Sequence, residues 1–296
     1  MRIDFEDVTP RHGGIKIGTV VILVILFVSL FGFLGMYYAK LYNFNFFKNL
    51  KENYDEYIEE KQQEEIKQQN PKDTFVPKYT ENAKNNMKNI YNTKTQIAYL
   101  TFDDGPSEVV TNLILDVLKE QNVKATFFVV GSNVKKYPEI VKRAYKDGHY
   151  IANHGYSHNY KKIYASSKSV LEEYTKTEKE IQEAIENSEY SSHLFRFPGG
   201  YSGSAYSKIK KQAGNLLNKN NISYIDWNVL TGDAQGANTK EMILKNLKKY
   251  TKSKGNIVVL MHDSSSKILT YETLVEVINY LREDGYTFDN FYNIMK

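Results

Sequence analysis

The most informative residues of this sequence are two adjacent carboxylates at the end of an apolar run. Asp103 and Asp104 follow residues 97–102, and Gly105 and Pro106 then turn the chain. Two like charges at the end of a buried strand are unfavourable unless a metal ion, or an arginine beside one of them, neutralises them. The alternative is that the pair only ends a strand and caps the next helix.

Two histidines, His154 and His158, are four residues apart and add imidazole nitrogens to this chemistry. With one carboxylate of the pair they form a three-ligand set that suits Zn²⁺ and leaves a position open for water. Zn²⁺ lowers the pKa of a bound water to about 7, and the second aspartate can take the proton of that water. These residue types therefore indicate metal-assisted hydrolysis of an amide or an ester.

Three more polar residues are associated with predicted strands further along the chain. Arg196 can hold the second aspartate ionised and correctly aimed. His262 lies on a different strand, so it can face the leaving group and act as the acid, while Asp233 can hold and charge its imidazole. Chemistry on parallel α/β folds lies at the carboxyl ends of the strands, and these residues are predicted there.

A regular alternation of strands and helices from Gln96 onward must bring these side chains together. The predicted strands are 97–102, 125–130, 150–153, 194–197, 223–227, 256–261 and 286–288. The predicted helices are 109–120, 133–147, 169–187, 204–218, 239–250 and 271–284. Repeated βα units imply a parallel sheet. The pattern fits both a doubly wound sheet and a closed, slightly irregular barrel.

Five segments of the sequence carry a family resemblance: TFDDGP, HGYSH, RFPGG, TGDA and LMH. In this order they resemble the motifs of the NodB-type polysaccharide deacetylases, carbohydrate esterase family 4, over residues 96–290. The resemblance implies a distorted (β/α)7 barrel and the removal of N- or O-acetyl groups from sugars. It also implies a set of roles: Asp103 as base, oriented by Arg196; His262 as acid, supported by Asp233; Asp104, His154 and His158 as metal ligands; and Leu260 in the acetyl pocket.

Three positions depart from the family pattern. Gly155 stands where Ser or Thr is usual, so one loop hydrogen bond is expected to be lost. Gly199 replaces a Tyr and keeps the backbone N–H that is expected to help hold the oxyanion. Ala234 stands where a Trp is usual. We therefore expect a more open substrate cleft around Gly199 and Ala234, unless a neighbouring aromatic side chain fills the space.

The N-terminal third of the chain has a different composition. Residues 17–39 carry no charge and exceed the roughly 20 apolar residues that cross a bilayer, which favours an uncleaved membrane anchor over a signal peptide. Residues 1–16 are then cytoplasmic, residues 40–95 form a stalk or linker, and the catalytic domain, residues 96–296, lies outside the cell. Within the stalk, residues 82–92 are either linker or the first helix of the domain.

Composition narrows the function further. The chain has no cysteine, which excludes disulfides and thiolate metal sites, and its net charge of +4 is too small to indicate nucleic acid binding. We predict a membrane-anchored hydrolase of N-acetyl groups on cell-wall glycan, with N-acetylglucosamine of peptidoglycan as substrate and one divalent metal, Zn²⁺ before Co²⁺ or Ni²⁺. The alternatives are an exopolysaccharide, chitin or O-acetyl xylan deacetylase, or a catalytically silent wall-binding module. No protein partner is indicated.

Overall fold

The computed structural model describes residues 76–93, 95–203 and 205–296. The predicted membrane anchor, residues 17–39, and the predicted stalk before residue 76 lie outside these ranges. Across the described ranges, every helix is too short or too polar to span a bilayer. The described residues belong to one compact unit that begins at Phe75 and ends at Lys296.

Helices and short parallel strands alternate along this unit. The strands are β1 (Ile97–Asp103), β2 (Thr126–Val129), β3 (Tyr150–Asn153), β4 (Leu194–Phe195), β5 (Ser223–Tyr224), β6 (Val229–Leu230), β7 (Ile257–His262) and β8 (Thr287–Phe288). The helices are α1 (Glu81–Asn89), α2 (Val110–Glu120), α3 (Gly131–Lys136), α4 (Pro138–Lys146), α5 (Tyr160–Ile163), α6 (Ser167–Ile185), α7 (Ser207–Lys219), α8 (Lys240–Thr251) and α9 (Ile268–Glu283), followed by a 3₁₀ turn, Phe291–Asn293.

The strands form a single sheet in the order β5-β4-β3-β2-β1-β7-β6, and β8 pairs with the start of β1. Every strand pair is parallel. Eight strands replace the seven that the sequence predicted, because the two-residue strand β6 is too short to show a period. The single helix predicted over 133–147 is divided into α3 and α4, since Pro138 has no backbone N–H and disfavours helical geometry at Tyr137.

Alternate residues of each strand face opposite sides of the sheet, and this alternation separates the core from the site. On β7, Ile257, Val259 and Met261 pack in the large cluster that the helices cover, whereas Val258 packs in a second cluster on the other side. Leu260 and His262 share the side of Val258. The same alternation places Asp103, His154 and Arg196 on this second, concave face.

The sheet is curved, and one long side chain shows it. Arg196 follows β4, and β3 and β2 lie between β4 and β1. Three steps between strands would span about 14 Å in a flat sheet, yet the Arg196 guanidinium lies 2.8 Å from Asp103. The described strands β5 and β6 end the sheet without pairing with each other, so the sheet is a curved, open half-barrel. This shape is consistent with the distorted (β/α)7 barrel that the family resemblance implies.

The lower part of the concave face is filled by the two ends of the described unit. Helix α1 buries Ala83, Met87 and Ile90 there, and the 3₁₀ turn adds Phe291. Thr80 accepts a hydrogen bond from the Ala83 N–H and caps the start of α1. Of the two alternatives for residues 82–92, the structure therefore shows a helix that packs on the domain. The polar groups occupy the other end of the concave face, where the strands terminate.

Candidate active site

Three predicted ligands converge at the carboxyl end of the sheet. Asp104, His154 and His158 each offer one ligand atom, and these atoms lie within 4.8 Å of one another. Asp104 Oδ1 is 3.1 Å from His158 Nε2 and 3.5 Å from His154 Nε2. Asp104 has a φ of +75° and His158 a φ of +50°, so two of the three residues have the left-handed backbone that clusters at functional sites.

The chemistry of this cluster fits a divalent metal ion. Nδ1 of His154 bonds the backbone carbonyl of Arg196 at 2.8 Å, which fixes the proton on Nδ1 and leaves Nε2 free as a ligand. Asp104 Oδ1 is buried, and in the described structure it accepts no hydrogen bond. Burial raises the pKa of Asp104, but the neighbouring histidines outweigh it and hold this pKa well below its usual value. An ionised oxygen and two imidazole nitrogens are ligands that zinc accepts.

Asp103 is held beside this cluster by a buried arginine. Oδ1 of Asp103 accepts a hydrogen bond of 2.8 Å from Arg196 Nη1, and the Arg196 side chain is fully buried. Arg196 also donates to the Thr101 hydroxyl and to two backbone carbonyls, and it stacks on the Phe128 ring. These contacts fix the guanidinium, and they compensate the buried charge of Asp103 and aim its carboxylate. Oδ2 of Asp103 lies 3.8 Å from His154 Nε2.

His262 and Asp233 form a second pair on the neighbouring strand. Asp103 and His262 are directly paired in the register of β1 and β7. The two oxygens of Asp233 accept hydrogen bonds from His262 Nδ1 at 2.9 Å and from the His262 backbone N–H at 2.8 Å, and Thr270 donates a third. Burial lowers the pKa of His262, but the hydrogen bond and charge of Asp233 outweigh it and raise this pKa above the ordinary value of 6.5.

Comparison with known proteins identifies this arrangement. The sequence profile of the polysaccharide deacetylase family matches residues 90–217. A peptidoglycan-N-acetylglucosamine deacetylase of Bacillus cereus is 33% identical over 203 residues, which cover 67% of this chain and 70% of that protein. The chain belongs to the polysaccharide deacetylase family. This confirms the family resemblance predicted from the five motifs.

Two further proteins that are similar to this chain agree with this assignment. YheN of Bacillus subtilis, a protein assigned to the polysaccharide deacetylases, is 37% identical over 195 residues, and the match spans 64% of this chain and just under two thirds of YheN, 65%. A solved carbohydrate esterase family 4 esterase of Streptococcus mutans superposes with a TM-score of 0.64 at 29% identity, covering 73% of this chain and 96% of the other.

The three predicted substrate residues of the deacetylase differ in their surroundings. Leu260 is buried on the concave face, two residues before His262, which is the last residue of β7. Ala234 is exposed beside Asp233. Gly199 is also exposed, with a φ of +73°. The roles of these three residues remain predictions.

Tyr160 occupies space that a larger residue at position 199 would need. A Cβ on Gly199 would lie 2.7 Å from the Tyr160 hydroxyl. The Tyr160 ring also meets the His158 ring edge-on, with 5.7 Å between centroids. At Gly199, therefore, a neighbouring aromatic side chain refills the space, and the expected opening of the cleft does not occur on this side. Ala234, by contrast, is exposed.

A groove of about 320 Å³ begins at Asp104. Its wall includes Ser107, Asn133, Lys136 and Ser264, which offer hydroxyl, amide and ammonium groups. Val109, which is 60% exposed, adds an apolar surface. A polar groove with one apolar wall beside the candidate metal site suits a sugar chain.

Asp263, for which the sequence predicted no role, lies behind the adjacent carboxylates Asp103 and Asp104 and supports them. It is fully buried, its N–H donates to the carbonyl of Asp103, and its Oδ2 accepts from the Thr111 hydroxyl at 2.7 Å. Burial raises its pKa to about 7. A Cβ at Gly105 would overlap this carboxylate, so residue 105 must be glycine. The position directly after His262 was the only sequence signal for Asp263.

The histidines that matched no motif have structural environments where the structure describes them. His149 is buried, and its Nδ1 accepts a hydrogen bond from the Ala125 N–H. Burial lowers the pKa of His149 to about 3, so this ring is neutral. His193 bonds the carbonyl of Asn221 and contacts the ring of Tyr79. His12 lies outside the described residues.

Proposed function

We propose that this deacetylase removes N-acetyl groups from cell-wall polysaccharide, with N-acetylglucosamine of peptidoglycan as its substrate, and releases acetate. One observation carries the proposal: a three-ligand cluster, a carboxylate held by an arginine and an imidazole held by a carboxylate share one end of the concave face. The Bacillus cereus relative named for this activity supports the choice of sugar.

Asp104, His154 and His158 would hold one Zn²⁺, although Co²⁺ or Ni²⁺ suits the same ligands. The metal supplies Lewis-acid chemistry, which polarises a carbonyl and makes water more acidic. The remaining chemistry belongs to side chains of the chain itself. Asp103 lies beside the cluster and accepts the proton of the attacking water as general base. Arg196 keeps the Asp103 carboxylate in the required orientation.

His262 acts as the general acid on the other side of the acetyl group. Addition of water to the acetyl carbon must be followed by cleavage of the C–N bond, and the departing nitrogen needs a proton because an amide anion is a poor leaving group. The raised pKa of His262 keeps its imidazole protonated at a higher pH than usual. Asp233 orients this imidazole through Nδ1, so Nε2 carries the proton to the amine.

The acetyl group itself would bind between the strand ends. Leu260, buried on the concave face, supplies an apolar wall for its methyl group. The backbone N–H of Gly199 would stabilise the developing oxyanion. Ala234, exposed beside Asp233, leaves room for a sugar that is already part of a long strand.

We also propose that residues 17–39 anchor the chain in the cell membrane with the catalytic domain outside. The support is the uncharged sequence of this segment and the polymeric substrate beyond the membrane. Membrane fractionation followed by protease treatment of intact cells tests this arrangement. A mature protein that starts near Lys40 and is released into the medium would contradict it.

The catalytic proposal is tested by substrate comparison. The native chain, with added Zn²⁺, is incubated with purified peptidoglycan, chitin oligomers and acetylxylan, and both acetate and new free amines are measured. We expect acetate and amines in equal amounts from peptidoglycan, and neither from an Asp103→Asn variant. Activity only on oligomers or on xylan would favour another glycan, and binding to wall without acetate release would favour the catalytically silent module.

A further inference from the structure

The loop between the two metal-binding histidines has a backbone that is not locally favoured. Gly155 has a φ of +81° and His158 a φ of +50°. A histidine in the left-handed region is strained, so His158 keeps this conformation only because surrounding contacts hold it. Its ring meets Asp104 at 3.1 Å and the edge of Tyr160. His154 is held differently, because its ring Nδ1 forms a hydrogen bond with the backbone carbonyl of Arg196.

Two helices, α3 and α6, hold this loop. At the start of α3, the N–H groups of Gly131 and Ser132 donate to the carbonyls of Gly155 and Tyr156, both at 3.0 Å. The N–H of Gly155 donates to Oδ1 of Asn153, whereas the next two N–H groups, those of Tyr156 and Ser157, point towards α6. One helix therefore satisfies the carbonyls of residues 155 and 156, and the N–H groups of residues 156 and 157 depend on the other helix.

Glu173 of α6 accepts these hydrogen bonds. Its Oε2 accepts from the N–H of Tyr156 at 2.7 Å and from the N–H of Ser157 at 2.6 Å, and its Oε1 accepts from the Ser157 hydroxyl at 2.8 Å. The Ser157 hydroxyl also accepts from the N–H of Asn159, directly after His158. One carboxylate thus fixes the backbone up to the second histidine through charge-assisted hydrogen bonds.

Gly155, which stands where the family usually has Ser or Thr, fits this arrangement. A Cβ at position 155 would lie 3.6 Å from Glu173 Oε2 and 2.8 Å from Ile163 Cδ1. The space that a Ser or Thr side chain would need is therefore already taken. The loop hydrogen bond that was expected to be lost with Gly155 is supplied instead by a side chain from another helix.

We propose that Glu173 is a positioning residue that fixes residues 155–157 and thereby presents His158 to the metal. The inference rests on the metal site of the proposed function. Supporting groups of this kind typically change metal affinity about 10–100-fold when removed, even though they do not touch the metal.

The test measures Zn²⁺ affinity directly. Zn²⁺ is removed from the native chain and from each variant, and the Kd is determined by competition with a chromophoric chelator near neutral pH. We expect Glu173→Ala to raise the Kd about 10–100-fold, because alanine leaves the loop donors without an acceptor. Glu173→Gln should raise it less than Glu173→Ala, because its amide oxygen can still accept from the N–H groups of Tyr156 and Ser157 but carries no charge. Ser157→Ala, which removes one of the three hydrogen bonds, should raise it less. Glu172→Gln, an exposed neighbour on the same helix, is the matched control.

Two further measurements separate positioning from folding. Thermal unfolding of the metal-free variants should match that of the metal-free native chain, and the visible spectrum of the Co²⁺-loaded Glu173 variants should change with the position of His158. Folded Glu173 variants that bind Zn²⁺ with the native Kd would overturn the inference and leave the metal site intact. A native chain that binds no Zn²⁺ would overturn the metal site and the inference together.

Discussion

Replacing Asp233 with asparagine tests whether His262 is the acid. In the native chain, Asp233 accepts hydrogen bonds from Nδ1 and from the backbone N–H of His262. Asparagine at this position has one carbonyl oxygen, and its NH₂ group would donate to Nδ1 instead. That favours a neutral imidazole with its proton on Nε2, which cannot give up this proton near neutral pH. Asp233→Asn should therefore lower the pKa of His262.

The size of the shift follows from the geometry. The Asp233 side chain is 3% exposed and that of His262 is 11% exposed, so solvent screens their interaction little. A hydrogen bond to a charged group is worth about 1.5–3 kcal/mol, and one pKa unit corresponds to about 1.36 kcal/mol. We therefore expect the pKa of His262 to fall by about one to two units.

The assay is the pH dependence of kcat/KM for acetate release from peptidoglycan. The native rate should fall as pH rises through the raised pKa of His262, since the imidazolium is then lost. In Asp233→Asn this fall should move to lower pH by about one to two units. Asp284→Asn, the same change at an exposed site, should leave the profile unchanged. If kcat/KM of Asp233→Asn fell at the same pH as that of the native chain, the fall would not arise from deprotonation of His262.

Stability should follow the same linkage. The raised pKa of His262 contributes stability that is fully present below its ordinary value of 6.5 and is lost as pH rises through the folded-state value. Burial raises the pKa of Asp233, but His262 outweighs this and lowers it below 3.8, so the contribution of Asp233 is lost as pH falls through its folded-state value. The Tm difference between native chain and Asp233→Asn should therefore be largest between these limits and shrink in alkaline solution.

Three more predictions concern the rest of the site. His154→Ala and His158→Ala should each abolish stoichiometric Zn²⁺ binding while circular dichroism shows an intact fold; metal retained by the double variant would refute the ligand assignment. Asp103→Asn should keep the metal and lose about 10²–10⁴-fold in kcat, and near-native turnover would exclude Asp103 as base. Tyr160→Ala should raise KM for glycan about 2–12-fold, the value of one aromatic contact, when measured at saturating Zn²⁺, because the ring also contacts His158; an unaltered KM would show that the ring does not border the substrate.

Much of the site was predictable because parallel strands all end at one edge. Polar residues after four apolar runs were enough to predict that Asp103, His154, Arg196 and His262 lie together, and the observed register pairs Asp103 with His262 directly. The face of each strand was also predictable from a period of two. Polar residues at the carboxyl ends of short parallel strands therefore predict the position of a site even where the sequence pattern of the strand itself is weak.

The parts that sequence did not predict depend on contacts between distant elements. Glu173 lies in an amphipathic helix beside Glu172, and nothing local distinguishes the residue that bonds the histidine loop from the one that faces solvent. The start of this helix was also misplaced. Ser166 caps it by accepting from the Ser169 N–H, whereas the sequence predicted that the helix starts at residue 169. Several serines can cap, and tertiary packing selects among them.

The exposure of the individual groups indicates how a substrate enters. Asp103 and His154 are almost completely buried, whereas the side chains of Asp104 and His158 are 29% and 33% exposed. Of these two exposed ligands, Asp104 lines the groove described above, and under the proposed function we expect a sugar chain to approach along that groove. Under the proposed function, we expect the acetyl group to point inward, towards the buried base, and its nitrogen to lie on the side of His262. A buried base and a more exposed acid suit this order, because the acid must act on the sugar that leaves.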